Sequence, residues 1–196
     1  MKTPTSADAL RVARALLGLS QREAAAAAEM TQKALSAAES GKNSLLETNL
    51  QLIRFYEGRG IEFLGEARIG REIAGAGARF RGPPGPGSDL AETSEFHSMP
   101  YGVSFLAARS LLGEEQAYVA AKSGLPLKTI RALEHGATWS APTAQLRAFY
   151  EAAGVRFTGW GDVETGRYYR VGVRWAAQKS QDVSGEAVAN GDVVDS

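Results

Sequence analysis

The chain has 196 residues, 44% hydrophobic and 22% charged, a globular composition that fits one large domain or two small ones. It has no cysteine, which excludes disulfides and thiolate metal sites, and its only histidines, His97 and His135, argue against a zinc site. Its 22 Lys and Arg balance 22 Asp and Glu, so net charge neither requires nor excludes nucleic acid, and local patches must decide.

The opening stretch "MKTPTSADALRVARALLG" lacks the unbroken apolar core and small-residue cleavage site of a secretory leader. No run approaches about 18 apolar residues, so no membrane span is expected and the protein reads as soluble and cytoplasmic. A first helix is predicted over Ser6–Leu17, stopped by Gly18. Ser20 caps a second helix, and Glu23 stands at the capping-box position. Thr31 caps a third, which runs to Ser40 and stops at Gly41. A fourth spans Glu47–Glu57, with Leu52, Ile53, Phe55 and Tyr56 as its apolar stripe. The period then changes to alternation, and Ile61–Gly65 and Gly77–Arg81 read as two strands joined by a loop.

Residues 82–96 are rich in Pro and Gly and read as a linker. Extended, they would reach roughly 45 Å, more than the roughly 34 Å between adjacent major-groove faces. "GAGARFRGPPGPG" is no phosphate loop, because no Lys-Ser/Thr follows its glycines. Beyond it the chain repeats itself. "ARALLG" (Ala13–Gly18) returns as "ARSLLG" (Ala108–Gly113), and Gln21, Ala25, Lys33, Glu39 and Gly41 return as Gln116, Ala120, Lys128, Glu134 and Gly136, always 95 positions later. After a one-residue deletion, "QLIRFYEGRGIEFLG" (Gln51–Gly65) matches "QLRAFYEAAGVRFTG" (Gln145–Gly159). Strands are expected again at Val155–Gly159 and Tyr169–Trp175, and residues 179–196 form a polar, small, slightly acidic tail expected to be disordered.

The alanine tract Ala24–Ala28 is unusual for an amphipathic helix, which carries larger apolar residues. Small residues suit two short helices whose backbones approach through a tight turn. The segment Gln21–Ala38, flanked by a helix on each side, resembles the lambda-repressor/Cro-like (XRE) family. The residues carrying the resemblance are Gln21, Ala25, Glu29, Met30, Leu35 and Ala38, then Gln116, Ala120, Gly124, Leu125, Ile130 and Leu133, each set closing on an E-x-G. It implies a mainly α fold of two tandem helix-turn-helix units, residues 1–81 and 97–178, each followed by a short β-hairpin. Glu29 departs from the family's glycine at the turn, a strained choice if its φ is positive. The resemblance also implies an ion pair between Arg14 and Glu39 and another between Arg109 and Glu134, each pair 25 residues apart.

By family position, Thr31, Gln32, Lys33, Ser36 and Ala37 would meet base edges, Gln32 suiting adenine and Lys33 guanine. Gln21 would hold a phosphate at the start of the second helix, and Lys42 and Asn43 would track the backbone. The counterparts are Leu127, Lys128, Thr129, Arg131 and Ala132, with Gln116 on a phosphate. Trp139, Trp160 and Trp175 read as packing residues, His135 as a phosphate contact, and Glu114–Glu115 as favouring the start of their helix through its dipole. The implied function is a sequence-specific, bacterial-type transcriptional regulator acting on double-stranded DNA in the nucleoid. No enzyme activity, cofactor, metal or small-molecule ligand is expected. The hairpins are expected to pair with each other, within the chain or between two chains of a homodimer. The alternative is a protein-interaction module, antitoxin-like or an anti-activator, in which one helix-turn-helix has become a docking face; Leu127 and the neutral charge motivate it.

Overall fold

Local capping rules set most helix boundaries in the computed structural model, which describes residues 4–41, 45–66, 73–85 and 96–176. Ser6 accepts from the Ala9 N–H and starts α1 (Ala7–Leu16); Gly18, at φ 65°, turns the chain out of it. Ser20 and Glu23 form a full capping box on α2 (Gln21–Ala27). Thr31 Oγ1 accepts from the Ala34 N–H and starts α3 (Gln32–Ser40), which ends at left-handed Gly41. Then come α4 (Leu46–Glu57), β1 (Ile61–Glu66), β2 (Ala74–Phe80) and the short β3 (Ser98–Met99). The second half runs α5 (Phe105–Leu112), α6 (Gln116–Ser123), α7 (Leu127–Glu134), α8 (Ser140–Ala152), β4 (Val155–Asp162) and β5 (Arg167–Trp175).

Ala24, Ala25 and Ala28 are buried while Ala26 and Ala27 face solvent. The tract therefore has an inside face, and methyl groups suffice there because α2 lies close against α3. Glu29 sits at φ 54°, so the turn does hold a non-glycine residue in the left-handed region.

The sheet is antiparallel throughout. β1 pairs with β2, β2 with β5, and β4 covers the opposite edge of β5, while β3 extends the β2 side of β5 at Tyr168 and Tyr169. The shift of 95 that aligns Gln21 with Gln116 also aligns Gly77-Ala78-Arg79-Phe80 with Gly172-Val173-Arg174-Trp175. Across the β2–β5 seam Ala78 faces Val173, Gly77 faces Arg174 and Arg79 faces Gly172. Each aligned position thus meets its own counterpart or its mirror, as in an isologous interface. Both glycines are required by space. A Cβ on Gly77 would fall on the backbone of Val173 and Arg174, and one on Gly172 on that of Ala78 and Arg79.

The halves share one core. Leu10, Leu35, Leu52 and Tyr56 belong to the same buried cluster as Phe105, Leu111, Ile130 and Tyr150. Helix α1 lies on α5, and the Trp175 indole N–H donates to Asp8 Oδ2 at 2.9 Å. Packing of α1 on α5 therefore sets how the halves sit. Residues 86–95 of the expected linker and 179–196 of the expected tail lie outside the described residues. The mainly α expectation is corrected. Helices make up about half of the described chain, and a five-stranded sheet is continuous across both halves. A lone two-stranded hairpin is marginal in water, and the pairing of β2 with β5 joins the two into one sheet.

Candidate nucleic-acid interface

The exposed side of α3 is polar. Thr31, Gln32, Lys33 and Ser36 face solvent, and Ala37 is half-buried. The other side buries Leu35, Ala38 and Glu39. Lys42 and Asn43, expected on the DNA backbone, lie outside the described residues.

Glu39 is 2% exposed, and its carboxylate is fully engaged. Arg14 Nε donates to Oε1 at 2.6 Å and Nη2 to Oε2 at 3.0 Å, the bidentate geometry that suits a guanidinium. Arg14 Nη1 also donates to the Leu19 carbonyl at 3.0 Å, tying down the loop before α2. Gln21 Nε2 donates to Glu39 Oε2 at 2.8 Å. One carboxylate therefore fixes the ends of α1, α2 and α3 relative to one another. Gln51 Nε2 adds a strut from α4 to the Ala28 carbonyl at 2.8 Å.

The second half carries the same arrangement. Arg109 Nε and Nη2 donate to Glu134 Oε1 and Oε2 at 2.5 and 3.1 Å, and Gln116 Nε2 donates to Oε2 at 2.7 Å. Arg109 Nη1 reaches the Glu114 carbonyl at 3.2 Å, and Gln145 Nε2 reaches the Ser123 carbonyl at 2.8 Å. Sequence reasoning gave Gln21 and Gln116 wholly to phosphates and missed this bracing role. The signal was present: both glutamines keep the same 18-residue distance to their glutamates.

The outward side of α7 differs from that of α3. Lys128 and Arg131 are exposed, Leu127, Thr129 and Ala132 are half-buried, and Arg131 Nε donates to Gln116 Oε1 at 3.4 Å. Pro126 begins this helix without a side-chain cap, where α3 has the Thr31 hydroxyl. His135 Nδ1 lies 2.7 Å from the Arg131 carbonyl at the end of α7. Trp139, expected in the interior, is 49% exposed, while Trp160 and Trp175 are half-buried.

Tyr56 and Tyr150, 94 positions apart, each bury an unpartnered hydroxyl. Burial pushes both phenols well above their ordinary value, and the negative charges of Glu39 and Glu134 respectively push the same way. A phenol held protonated in the fold contributes stability that is fully present below about pH 10 and is lost as pH rises toward the raised folded value. The double change Tyr56→Phe and Tyr150→Phe is expected to keep or raise stability at neutral pH, because it removes orphaned hydroxyls. It should also weaken the alkaline loss of stability; urea titrations at pH 7 and above pH 10 measure both effects.

The left-handed turn at Glu29 between two short helices, with a polar helix face beyond it, is the deciding feature. Residues 10–54 match the helix-turn-helix family. The helix-turn-helix spans most of α1 and all of α2 and α3, and ends within α4. The match is to a helix-turn-helix of the XRE kind and points to a DNA-binding regulator. No curated protein and no solved structure matches the chain. Among the described residues no helix is long and apolar enough to cross a membrane, and no group of three or more His, Cys, Asp or Glu is placed to hold a metal ion.

Proposed function

We propose that the protein is a sequence-specific regulator of transcription that reads double-stranded DNA with two recognition helices, α3 and α7. It acts by occupancy in the cytoplasm, on the nucleoid, and performs no chemistry of its own. The observation that carries this reading is the polar, exposed start of α3 on a matched helix-turn-helix, braced from behind by Glu39. Gln32 presents an amide for adenine, Lys33 an ammonium for guanine, and Thr31 and Ser36 hydroxyls for neighbouring bases or phosphates. Support for a second, tandem helix-turn-helix comes from the Arg109–Glu134–Gln116 brace, which has the same spacing and contacts as the first. The mirrored β2–β5 pairing supports an internal pseudo-dimer, so the operator should be an imperfect palindrome. Leu127, Lys128, Thr129 and Arg131 would read its weaker half.

A second reading gives α7 to a protein partner, as in an antitoxin or anti-activator. Half-buried Leu127 after Pro126, where α3 presents Thr31 and Gln32, favours it. Selection from a random DNA pool at fixed salt separates the two. The regulator reading expects one enriched motif with two related halves, a single half-site assigns α7 elsewhere, and no motif overturns DNA reading altogether. Changing Lys33 and Lys128 together to Ala should flatten the log–log salt dependence of binding by about 0.9 for each phosphate that is no longer neutralised. An unchanged slope in a folded variant removes both lysines from the interface.

A further inference from the structure

A cavity of about 400 Å³ opens between residues 100–103, the start of α8 and the β4–β5 hairpin. Four aromatic residues, Tyr101, Phe157, Trp160 and Tyr168, stand on its lining beside threonines and glycines. Gly102 and Gly161 leave room for the Tyr168 ring, since a Cβ on either would come within 2.9 Å of it. The only charged side chain on the lining is Arg147, whose Nε is held by Glu151 Oε1 at 2.9 Å and whose guanidinium lies 5.8 Å from the centre of the Phe157 ring. Two of the lining residues carry buried polar atoms without a partner, Thr143 Oγ1 and Trp160 Nε1. Buried donors and acceptors are paired in nearly all native sites, so two on one cavity call for an explanation.

We propose that this cavity binds a small aromatic carboxylate. Rings on several sides suit a planar body, and the volume, near the lower end for ligand pockets, suits one or two fused rings. The Arg147 guanidinium, paired through Nε with Glu151, is the lining's charged donor for a carboxylate, and no acidic side chain stands on the described lining. The Thr143 hydroxyl and the Trp160 indole N–H gain a partner when an acceptor enters. Tyr101 also packs on Gly136, the left-handed residue after α7, where a Cβ would lie 2.7 Å from the ring. A ligand that displaces Tyr101 therefore pushes on the end of α7. Its effect on DNA rests on the regulator reading; its binding does not.

The test titrates the full chain with 1-naphthoate, using 1-naphthamide as the neutral counterpart and cyclohexanecarboxylate as the non-aromatic one. Calorimetry gives affinity, and the indole N–H resonance of Trp160, assigned with Trp160→Phe, reports the site. Saturable one-to-one binding of naphthoate that moves this resonance is expected, about tenfold tighter than for either counterpart. Arg147→Gln should weaken naphthoate by a similar factor. Thr143→Val should also weaken it while folding at least as stably as the parent, because the orphaned hydroxyl is gone. No saturable binding, equal affinity for either counterpart, or indifference to both substitutions overturns the proposal. A shift in DNA affinity on adding naphthoate supports the coupling to α7, and naphthoate binding without such a shift overturns the coupling alone. Naphthoate binding in a protein that selects no DNA motif overturns the regulator reading and supports the cavity.

Discussion

Replacing Glu39 with alanine is expected to destabilise the protein by about 3–5 kcal/mol, among the largest effects available to a single substitution. The change removes a carboxylate that receives three side-chain hydrogen bonds, two from Arg14 and one from Gln21. It leaves the Arg14 guanidinium, 18% exposed, without its counter-charge inside the fold. Breaking one partner of such a pair costs far more than the net value of the pair, because the remaining ion is poorly solvated where it stands. The loss should fall on DNA binding as well, since the ends of α1, α2 and α3 meet at this one group. Glu134→Ala removes the same three bonds in the second half and should cost a similar amount. Urea denaturation of both variants measures the effect. A loss below about 1 kcal/mol would place the pair among ordinary surface salt bridges and remove the brace from the account.

Arg11→Ala is expected to cost about 2–4 kcal/mol and to loosen one half of the molecule from the other. Arg11 Nε donates to the Ser110 carbonyl at 2.9 Å, Nη1 to the Glu39 carbonyl at 2.6 Å, and Nη2 to the Leu111 carbonyl at 3.3 Å and to Asp8 Oδ1 at 2.7 Å. The Ser110 and Leu111 carbonyls lie in the last turn of α5 and the Glu39 carbonyl in the last turn of α3, where helices run out of internal donors. One cation thus caps the negative ends of two helices from different halves, and ties α3 to the far side of the molecule. Asp8 holds the guanidinium and also receives the Trp175 indole N–H, extending the link to β5. Lysine should not rescue the variant, because a point charge cannot reach three carbonyls that a planar fork spans. Hydrogen exchange across α3 and α5 gives the sharper measurement. Faster exchange in both helices is expected, whereas exchange unchanged in α5 would show that Arg11 braces only its own half.

The two variants separate what was legible in the sequence from what was not. The family resemblance implied an Arg14–Glu39 pair and its repeat at Arg109 and Glu134, and both pairs are joined by hydrogen bonds in the fold. Ser20 and Thr31 announced their caps because a hydroxyl three residues before an N–H is a local rule, whereas Ser6, read as the first residue of its helix, turned out to cap it. Arg11 gave no such signal. The residue 95 positions later is Leu106, so the repeat itself offers no counterpart. Apart from Asp8, three residues before it, its partners lie 28, 99 and 100 residues away, beyond any local pattern. The exposed polar side of α3 at Thr31, Gln32, Lys33 and Ser36 was legible, whereas the bracing role of Gln21 required a view of which atom its amide meets.

Taken alone, the order of residues determined where most helices start and stop, which faces are apolar, and that the second half answers the first position by position. These properties depend on atoms within a turn or two of each other, or on plain recurrence. The tertiary structure alone decided that the two hairpins pair within one chain through β2 and β5, that Glu29 takes the left-handed conformation, that α1 lies on α5, and that Arg11 joins them. An alternating strand states which side it buries, but the strand beside it is selected by what else must be covered, and that choice belongs to the whole molecule.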